Sequence, residues 1–190
     1  MTVHGQQYVP GDRTRSRILL PLVFCRECGQ EYYCVRYHHD DESGARMFTP
    51  RELSDHLEDE ENKAGFLYFS SSDPWPEDIE ELIERLPDEW VEDAGRRIRR
   101  SRIRDLPQPF IINARGHEDS EGLKCHFVPV PFRFCLNCGV SYQVRKGMTD
   151  YARLGTLATE GKSSATTILS LSAIRNLRAD ETLPPMLASC

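Results

Sequence analysis

Four of the seven cysteines in this 190-residue chain form two pairs with the spacing of metal-binding thiols. Cys25 and Cys28 lie in the run FCRECGQEY, and Cys135 and Cys138 lie in the run FCLNCGVSY, so both runs read F-C-x-x-C-G-x-x-Y. Tetrahedral Zn²⁺ takes thiolates at about 2.3 Å, and two intervening residues let one tight turn supply two of them. The sequence therefore predicts one structural Zn²⁺ bound by Cys25, Cys28, Cys135 and Cys138.

The two pairs are about a hundred residues apart, so the intervening chain has to bring them together. Closing a loop of that length costs roughly 4 kcal/mol before its constant term. Zinc binding to structural thiolate sites contributes roughly 10 to 16 kcal/mol. The glycine after each pair can take a positive φ, which lets the turn fold back toward the sulfurs. The separation in sequence therefore does not exclude one shared site.

A redox dithiol is the main alternative for the paired cysteines. In thioredoxin-like proteins the C-x-x-C motif begins a helix after a strand. Here both pairs lie between strand-like segments and precede glycine, which favours metal binding. Cys34 and Cys125 fall outside the pattern and are predicted to be buried structural thiols. His38, His39 and His126 could replace a thiolate ligand, but the pattern does not require them.

The composition is typical of an ordered domain with some loosely held segments, with 39% hydrophobic and 28% charged residues. No run approaches the roughly 20 apolar residues of a membrane span, and no secretory signal follows Met1. We therefore expect a cytoplasmic protein without membrane contact, in which thiols stay reduced and are available to metals.

Alternating apolar residues predict the strands that position the cysteines. A strand over 18–24 leads into the first pair and a strand over 31–37 leaves it, which places Cys25 and Cys28 at a hairpin tip. Further strands are predicted over 65–69, 110–113 and 125–130.

Helices are predicted at four places. Thr49, Pro50 and Glu52 have the spacing of a helix start and predict a helix over 51–60. Trp75 and Pro76 introduce a second predicted helix, in which apolar residues at 79, 82, 83 and 86 repeat at helical spacing and form a core stripe under an acidic face. The arginine-rich stretch that ends at Asp105 could continue as helix, and 164–177 predicts a C-terminal helix.

Together these elements predict an α+β fold: a zinc ribbon with two C-x-x-C-G knuckles on β-hairpins, a long mixed helix and strand insertion, and a C-terminal helix. The ribbon halves are 18–40 and 125–147, and the insertion, 41–124, is acidic first and arginine-rich later. Residues 1–17 are predicted to be an N-terminal arm, and 148–190 a helical segment.

Three runs of the sequence, FCRECGQEYY, FCLNCGVSY and EGKSSATTILSLSAIRNLR, resemble one known family. They are similar to the segment between the two RecA-like motor domains of large bacterial DEAD/DEAH-box helicases of superfamily 2. The resemblance implies zinc ligation by the four paired cysteines, and a 148–190 segment that leads toward a second motor domain. The chain has no Walker A motif, no acidic box and no arginine-finger motif, so we do not expect it to hydrolyse ATP alone.

Two functions from different classes follow. The first is a structural zinc-binding segment of a DNA helicase, not catalytic by itself, with the motor domains as partners in the same chain or as neighbouring polypeptides. The second is a free-standing zinc-stabilised interaction module that binds protein through the acidic helix and the region of Trp75 and Trp90. A thiol-disulfide oxidoreductase is a third hypothesis.

Basic residues give the helicase hypothesis a candidate DNA surface. The candidates are Arg96, Arg97, Arg99, Arg100, Arg133, Arg145 and Lys146. Tyr32, Tyr33 or Tyr142 could stack on bases. Pairing of the arginines with the preceding acidic helix is the alternative, and charge order along the sequence favours it.

Overall fold

The computed structural model describes residues 7–40, 44–55, 63–71, 73–92, 97–143, 149–156 and 170–171. These residues form a mixed α+β fold, as the sequence predicts, and most of it is antiparallel sheet. The strands are β1 (Leu22–Cys25), β2 (Glu31–His39), β3 (Arg46–Pro50), β4 (Lys63–Tyr68), β5 (Gln108–Ile112), β6 (Leu123–Pro129) and β7 (Leu154–Gly155). The α-helix α1 spans Ile79–Arg85, and short 3-10 helices span Asp88–Trp90, Arg100–Asp105 and Asp150–Ala152.

All strand pairs are antiparallel, in the order β5-β6-β4-β2-β1-β7, and β3 also pairs with β2. The long strand β2 organises the sheet, because β1 and β3 share one of its edges and β4 takes the other. The predicted ribbon halves and the predicted insertion therefore contribute strands to one sheet.

Side chains alternate across the sheet and divide the interior into two cores. On β2, Tyr32 and Cys34 lie in the first core, which also contains Cys25 and Cys135. Val35 and Tyr37 lie in the second core, on the other face. The same alternation holds on the neighbouring strands, with Phe66 and Tyr68 opposed to Leu67 on β4, and Val128 opposed to Cys125 and Phe127 on β6.

The sheet curls over the second core, because hydrogen bonds join β3 to the turn between β5 and β6. The Phe48 N–H donates to the Gly116 carbonyl at 2.7 Å, and the Glu118 N–H donates to the Arg46 carbonyl at 2.8 Å. Gly116 has a φ of 85°, and a Cβ at this position would collide with the Phe48 carbonyl. Only glycine allows this approach.

The prediction of a helix over 51–60 is wrong for the described residues 51–55, which form a turn. Thr49 and Pro50 end β3, where both pair with β2. Phe48 is buried in the second core and fixes this pairing. Sheet pairing and burial therefore outweigh the local helix-start signature.

The helix α1 forms where the sequence predicts it. The Asp78 carboxylate caps it, accepting the N–H groups of Glu80 and Glu81 at 2.9 and 3.2 Å. Leu86 is buried and Leu82 packs against the first core, but Ile79 is 56% exposed. The predicted apolar stripe is therefore core only at its C-terminal end.

The structure describes most of the predicted N-terminal arm and little of the predicted C-terminal helix. Residues 7–17, predicted as an arm, form a turn in which the Val9 N–H donates to the Arg17 carbonyl at 3.2 Å. The predicted helix 164–177 lies outside the described residues except at 170–171. Within the described ranges, no helix has the length and apolar character needed to cross a membrane.

Candidate metal centre

The two C-x-x-C-G runs form turns with the same hydrogen bonds. In the first knuckle (Cys25 to Gln30), the Gly29 N–H donates to the Cys25 carbonyl at 2.9 Å, and the Cys25 N–H donates to Gln30. In the second knuckle (Cys135 to Val140), Gly139 donates to Cys135 at 2.9 Å in the same way. Gly29 and Gly139 have φ angles of 73° and 71°. The glycines therefore supply the left-handed conformation that closes each turn.

The two knuckles bring four free sulfurs together. The Sγ atoms of Cys25, Cys28, Cys135 and Cys138 all lie within 4.8 Å of one another. Cys25 and Cys138 are 3.9 Å apart, and Cys28 and Cys135 are 3.7 Å apart. A disulfide requires about 2.05 Å, so these are separate thiols.

The arrangement fits a four-coordinate metal ion. With thiolates at about 2.3 Å from Zn²⁺, the edges of a regular tetrahedron are about 3.8 Å long. The separations of Cys25 from Cys138 and of Cys28 from Cys135, each between the two knuckles, match that length. All four donors are thiols, which suits Zn²⁺ or iron and does not suit Mg²⁺ or Ca²⁺. The four cysteines are therefore compatible with a metal site.

Protons are unevenly distributed among the four sulfurs. The pKa of Cys28 is lowered, chiefly because the Cys135 and Cys25 thiols donate to its sulfur. The pKa of Cys135 is raised, because its proton is held by the sulfurs of Cys25 and Cys28. Burial raises the pKa of Cys138 to about 11. A metal ion that binds here must displace these shared protons, so binding releases protons to solvent.

Side-chain donors surround the sulfurs. The Tyr32 hydroxyl donates to the Cys135 Sγ at 3.3 Å and accepts the Leu136 N–H at 2.8 Å. The Asn137 Nδ2 donates to the Cys28 Sγ at 3.4 Å, and the Tyr142 hydroxyl lies 3.8 Å from the Cys25 Sγ. The sequence prediction missed these roles, although the tyrosine position is repeated in both motifs. Tyr32 is fully buried, so its predicted stacking on bases is wrong.

A buried ion pair supports the second knuckle. The Asp150 Oδ1 accepts the Phe132 N–H at 3.0 Å and lies 2.6 Å from the Arg153 Nη1. The Arg153 carbonyl in turn accepts the N–H of Arg26 at 3.4 Å, and the Arg26 guanidinium donates to the Tyr151 carbonyl. Residues 150–153 therefore connect the chain before the second knuckle to the turn of the first.

The other predicted ligands and thiols lie apart from the centre. Among the described residues, the cysteine cluster contains no histidine. Burial raises the pKa values of Cys34 and Cys125 to about 12. Both thiols stay protonated at neutral pH, which fits their predicted structural role.

The basic candidates occupy different surroundings. Arg97, Arg99 and Arg100 are exposed, whereas Arg133 is half-buried with its Nε 3.0 Å from the Asp105 carboxylate. The remaining candidates, Arg96, Arg145 and Lys146, lie outside the described residues.

Within the described residues, the structure does not show the predicted ion pairing between the arginines and the acidic helix α1. In the described ranges, the ion pairs of residues 97–105 and of Arg133 run to Asp105, and none runs to α1. Trp75 and Trp90, predicted to mark a protein-binding region, are both buried in the first core, so neither can dock a partner directly.

The fold and the site together define a cluster of four cysteines, compatible with a metal ion, in a mostly antiparallel α+β fold. Comparison with protein-family models, with curated proteins and with solved structures gives no match to this chain. A functional proposal therefore depends on the cysteine centre and the surfaces around it.

Proposed function

We propose that this chain binds one structural Zn²⁺ through Cys25, Cys28, Cys135 and Cys138, and that the centre joins the second knuckle to the sheet. The supporting observation is the set of four separate thiols within 4.8 Å. Four protein ligands complete a tetrahedral shell and leave no position for a substrate, as in structural zinc sites. The expected role is therefore stabilisation and not catalysis.

Elemental analysis of untagged protein tests this proposal. We expect about one zinc per chain, because four thiolates form one closed site. Iron at similar stoichiometry would identify a different centre, since thiolates also bind iron. Protein that contains neither metal and takes up neither on refolding would contradict the proposal.

The proposal extends to the context in which the centre works. Because of the sequence resemblance, we infer that the chain is the zinc-bearing segment between the motor domains of a DEAD/DEAH-box DNA helicase. The motor domains would then be its partners. Neighbouring reading frames that encode a Walker A motif and an acidic box would support this role. Neighbours without motor motifs, together with a stable protein partner, would favour the free-standing interaction module.

An exposed basic surface is the candidate contact to DNA in this role. The arginine surface consists of Arg97, Arg99, Arg100 and Arg104, all exposed. Ile103 lies among them and is 56% exposed. Within the described residues these four arginines form no ion pair with a carboxylate, and such arginines can neutralise phosphates and release counterions. A DNA backbone is therefore the ligand that we propose for this surface, and a single strand is the simplest probe of it.

Replacing Arg97, Arg100 and Arg104 with alanine should weaken binding of a labelled oligo-dT strand. For single strands, each lost phosphate contact makes the plot of log K against log salt concentration less steep by about 0.7. The loss of three contacts should therefore reduce its steepness by about 2. Fluorescence anisotropy over a salt series measures it.

The matched control removes the same charge elsewhere, with alanine at Arg13, Arg115 and Lys124. These three side chains are exposed and lie outside the arginine surface. Equal salt slopes for the two triple variants, or binding that does not respond to salt, would rule out the arginine surface as the DNA contact.

A further inference from the structure

The repeated motif F-C-x-x-C-G-x-x-Y has a second consequence at the metal centre. Its tyrosines, Tyr32 and Tyr142, occupy the same position in the two runs. The Tyr32 hydroxyl reaches the Sγ of Cys135, the first cysteine of the opposite knuckle, at 3.3 Å. The Tyr142 hydroxyl reaches the Sγ of Cys25, again the first cysteine of the opposite knuckle, at 3.8 Å. The two contacts are thus related by an approximate two-fold exchange of the knuckles.

The amide hydrogen bonds to sulfur follow the same symmetry. The Gln30 N–H bonds the Cys28 sulfur, and the Val140 N–H bonds the Cys138 sulfur. Each amide lies two residues after the second cysteine of its own knuckle. The second cysteine of each pair is therefore bonded by an amide of its own knuckle, and the first is faced by the tyrosine of the other knuckle. Two further bonds lie outside this symmetry: the Cys138 N–H to the Cys135 sulfur, and the Asn137 Nδ2 to the Cys28 sulfur.

These contacts matter because of the negative charge of the proposed zinc site. Four thiolates around Zn²⁺ leave an excess of about two negative charges in a partly buried site. Buried charge requires hydrogen-bond donors, and bonds to charged acceptors are stronger than neutral ones. Cys25 and Cys135 are the most buried of the four clustered cysteines, and they are the ones that the tyrosine hydroxyls face.

We propose that Tyr32 and Tyr142 are reciprocal positioning residues of the metal centre. This inference rests on the proposed zinc site. Each hydroxyl donates to the first thiolate of the opposite knuckle, stabilises its charge and holds the two knuckles in register. Tyr32 contributes more, because its hydroxyl is fully buried, lies closer to sulfur and also accepts the Leu136 N–H at 2.8 Å.

Tyrosine-to-phenylalanine variants test the proposal, since they remove one oxygen and keep the ring. Outer hydrogen-bond partners of metal ligands typically contribute 10- to 100-fold in metal affinity, so we expect a loss of about tenfold or more for Tyr32→Phe. The loss should be smaller for Tyr142→Phe. Competition with a chromogenic zinc chelator measures both affinities.

Cobalt substitution supplies a readout that depends on the sulfurs. A hydrogen bond lowers the energy of the sulfur lone pairs, so its loss should move the sulfur-to-Co²⁺ charge-transfer band to longer wavelength. We expect this shift in Tyr32→Phe and, more weakly, in Tyr142→Phe. Tyr33→Phe is the matched control, because Tyr33 points to the other face of β2 and packs edge-on against Phe69.

The outcomes separate two failures. If the unmodified protein binds neither Zn²⁺ nor Co²⁺, the metal centre itself is wrong and this inference is wrong with it. If the unmodified protein binds both ions, and Tyr32→Phe and Tyr142→Phe match Tyr33→Phe in affinity and spectrum, the positioning role alone is overturned. Tyr142 is only partly buried, so its variant keeps the test valid if Tyr32→Phe folds poorly.

Discussion

Replacing Cys135 with serine should abolish stoichiometric zinc binding and lower the free energy of unfolding by several kcal/mol. The reason is linkage: with free zinc a thousandfold above the dissociation constant, metal binding adds about 4 kcal/mol to stability. The change also affects packing, because Cys135 is completely buried in the first core. Thermal melting with and without chelator, alongside elemental analysis, measures the effect.

Cys125→Ser is the matched control for this experiment. Cys125 is also buried, but it lies in the second core, away from the cysteine cluster. The Cys125→Ser protein should keep one zinc per chain and its response to chelator. Its free energy of unfolding should fall only by the cost of a hydroxyl in an apolar site. A Cys135→Ser protein that retains full zinc and an unchanged melting curve would show that Cys135 is not a ligand.

The repeated cysteine motif predicted the four-cysteine cluster because each knuckle is a local structure. Two cysteines, a glycine with positive φ and two main-chain hydrogen bonds lie within six residues. Such a turn depends little on the rest of the fold, so sequence spacing is enough to recognise it. The meeting of the two knuckles depends on their thiols and on the core between them, and the doubled motif signals it.

Strand positions could be predicted for a similar reason. Residues of β2 alternate between two buried faces, and the period of two is visible in the run EYYCVRY. The end of β3 could not be predicted, because Thr49 and Pro50 match a helix start equally well. Only the pairing of β3 with β2 and the burial of Phe48 decide between the two. Those contacts are distant in sequence.

The contacts around the sulfurs could not be predicted either, because they join residues that are distant in sequence. Tyr32 and Cys135 are 103 positions apart, and although the motif repeats the tyrosine position, the sequence does not show which sulfur each hydroxyl faces. The ion pair of Asp150 and Arg153 has a local spacing that is common on exposed surfaces. Its burial follows only from the packing of residues 150–153 against both knuckles.

Replacing Asp150 with asparagine should destabilise the protein by about 3–5 kcal/mol, the typical cost of leaving one member of a buried ion pair alone. Arg153 is 2% exposed and its partner Asp150 is 7% exposed. Arg51 is buried close by, and within the described residues its Nε and Nη2 atoms have no hydrogen-bond partner. Burial lowers the pKa of Arg51, and the charge of Asp150 opposes that shift. Chemical denaturation measures the loss.

Two controls isolate the buried charge in this prediction. Asp73→Asn breaks the ion pair with Arg85, in which the Asp73 side chain is 53% exposed, and should cost less than about 1 kcal/mol. The double variant Asp150→Asn, Arg153→Met should recover most of the loss, because removing both partners leaves no unpaired charge. A single variant as stable as Asp73→Asn would show that residues 150–153 do not hold the second knuckle. A double variant no better than the single one would assign the loss to the packing and hydrogen bonds of these two side chains, such as that of Arg153 to the Gln143 carbonyl, and not to charge.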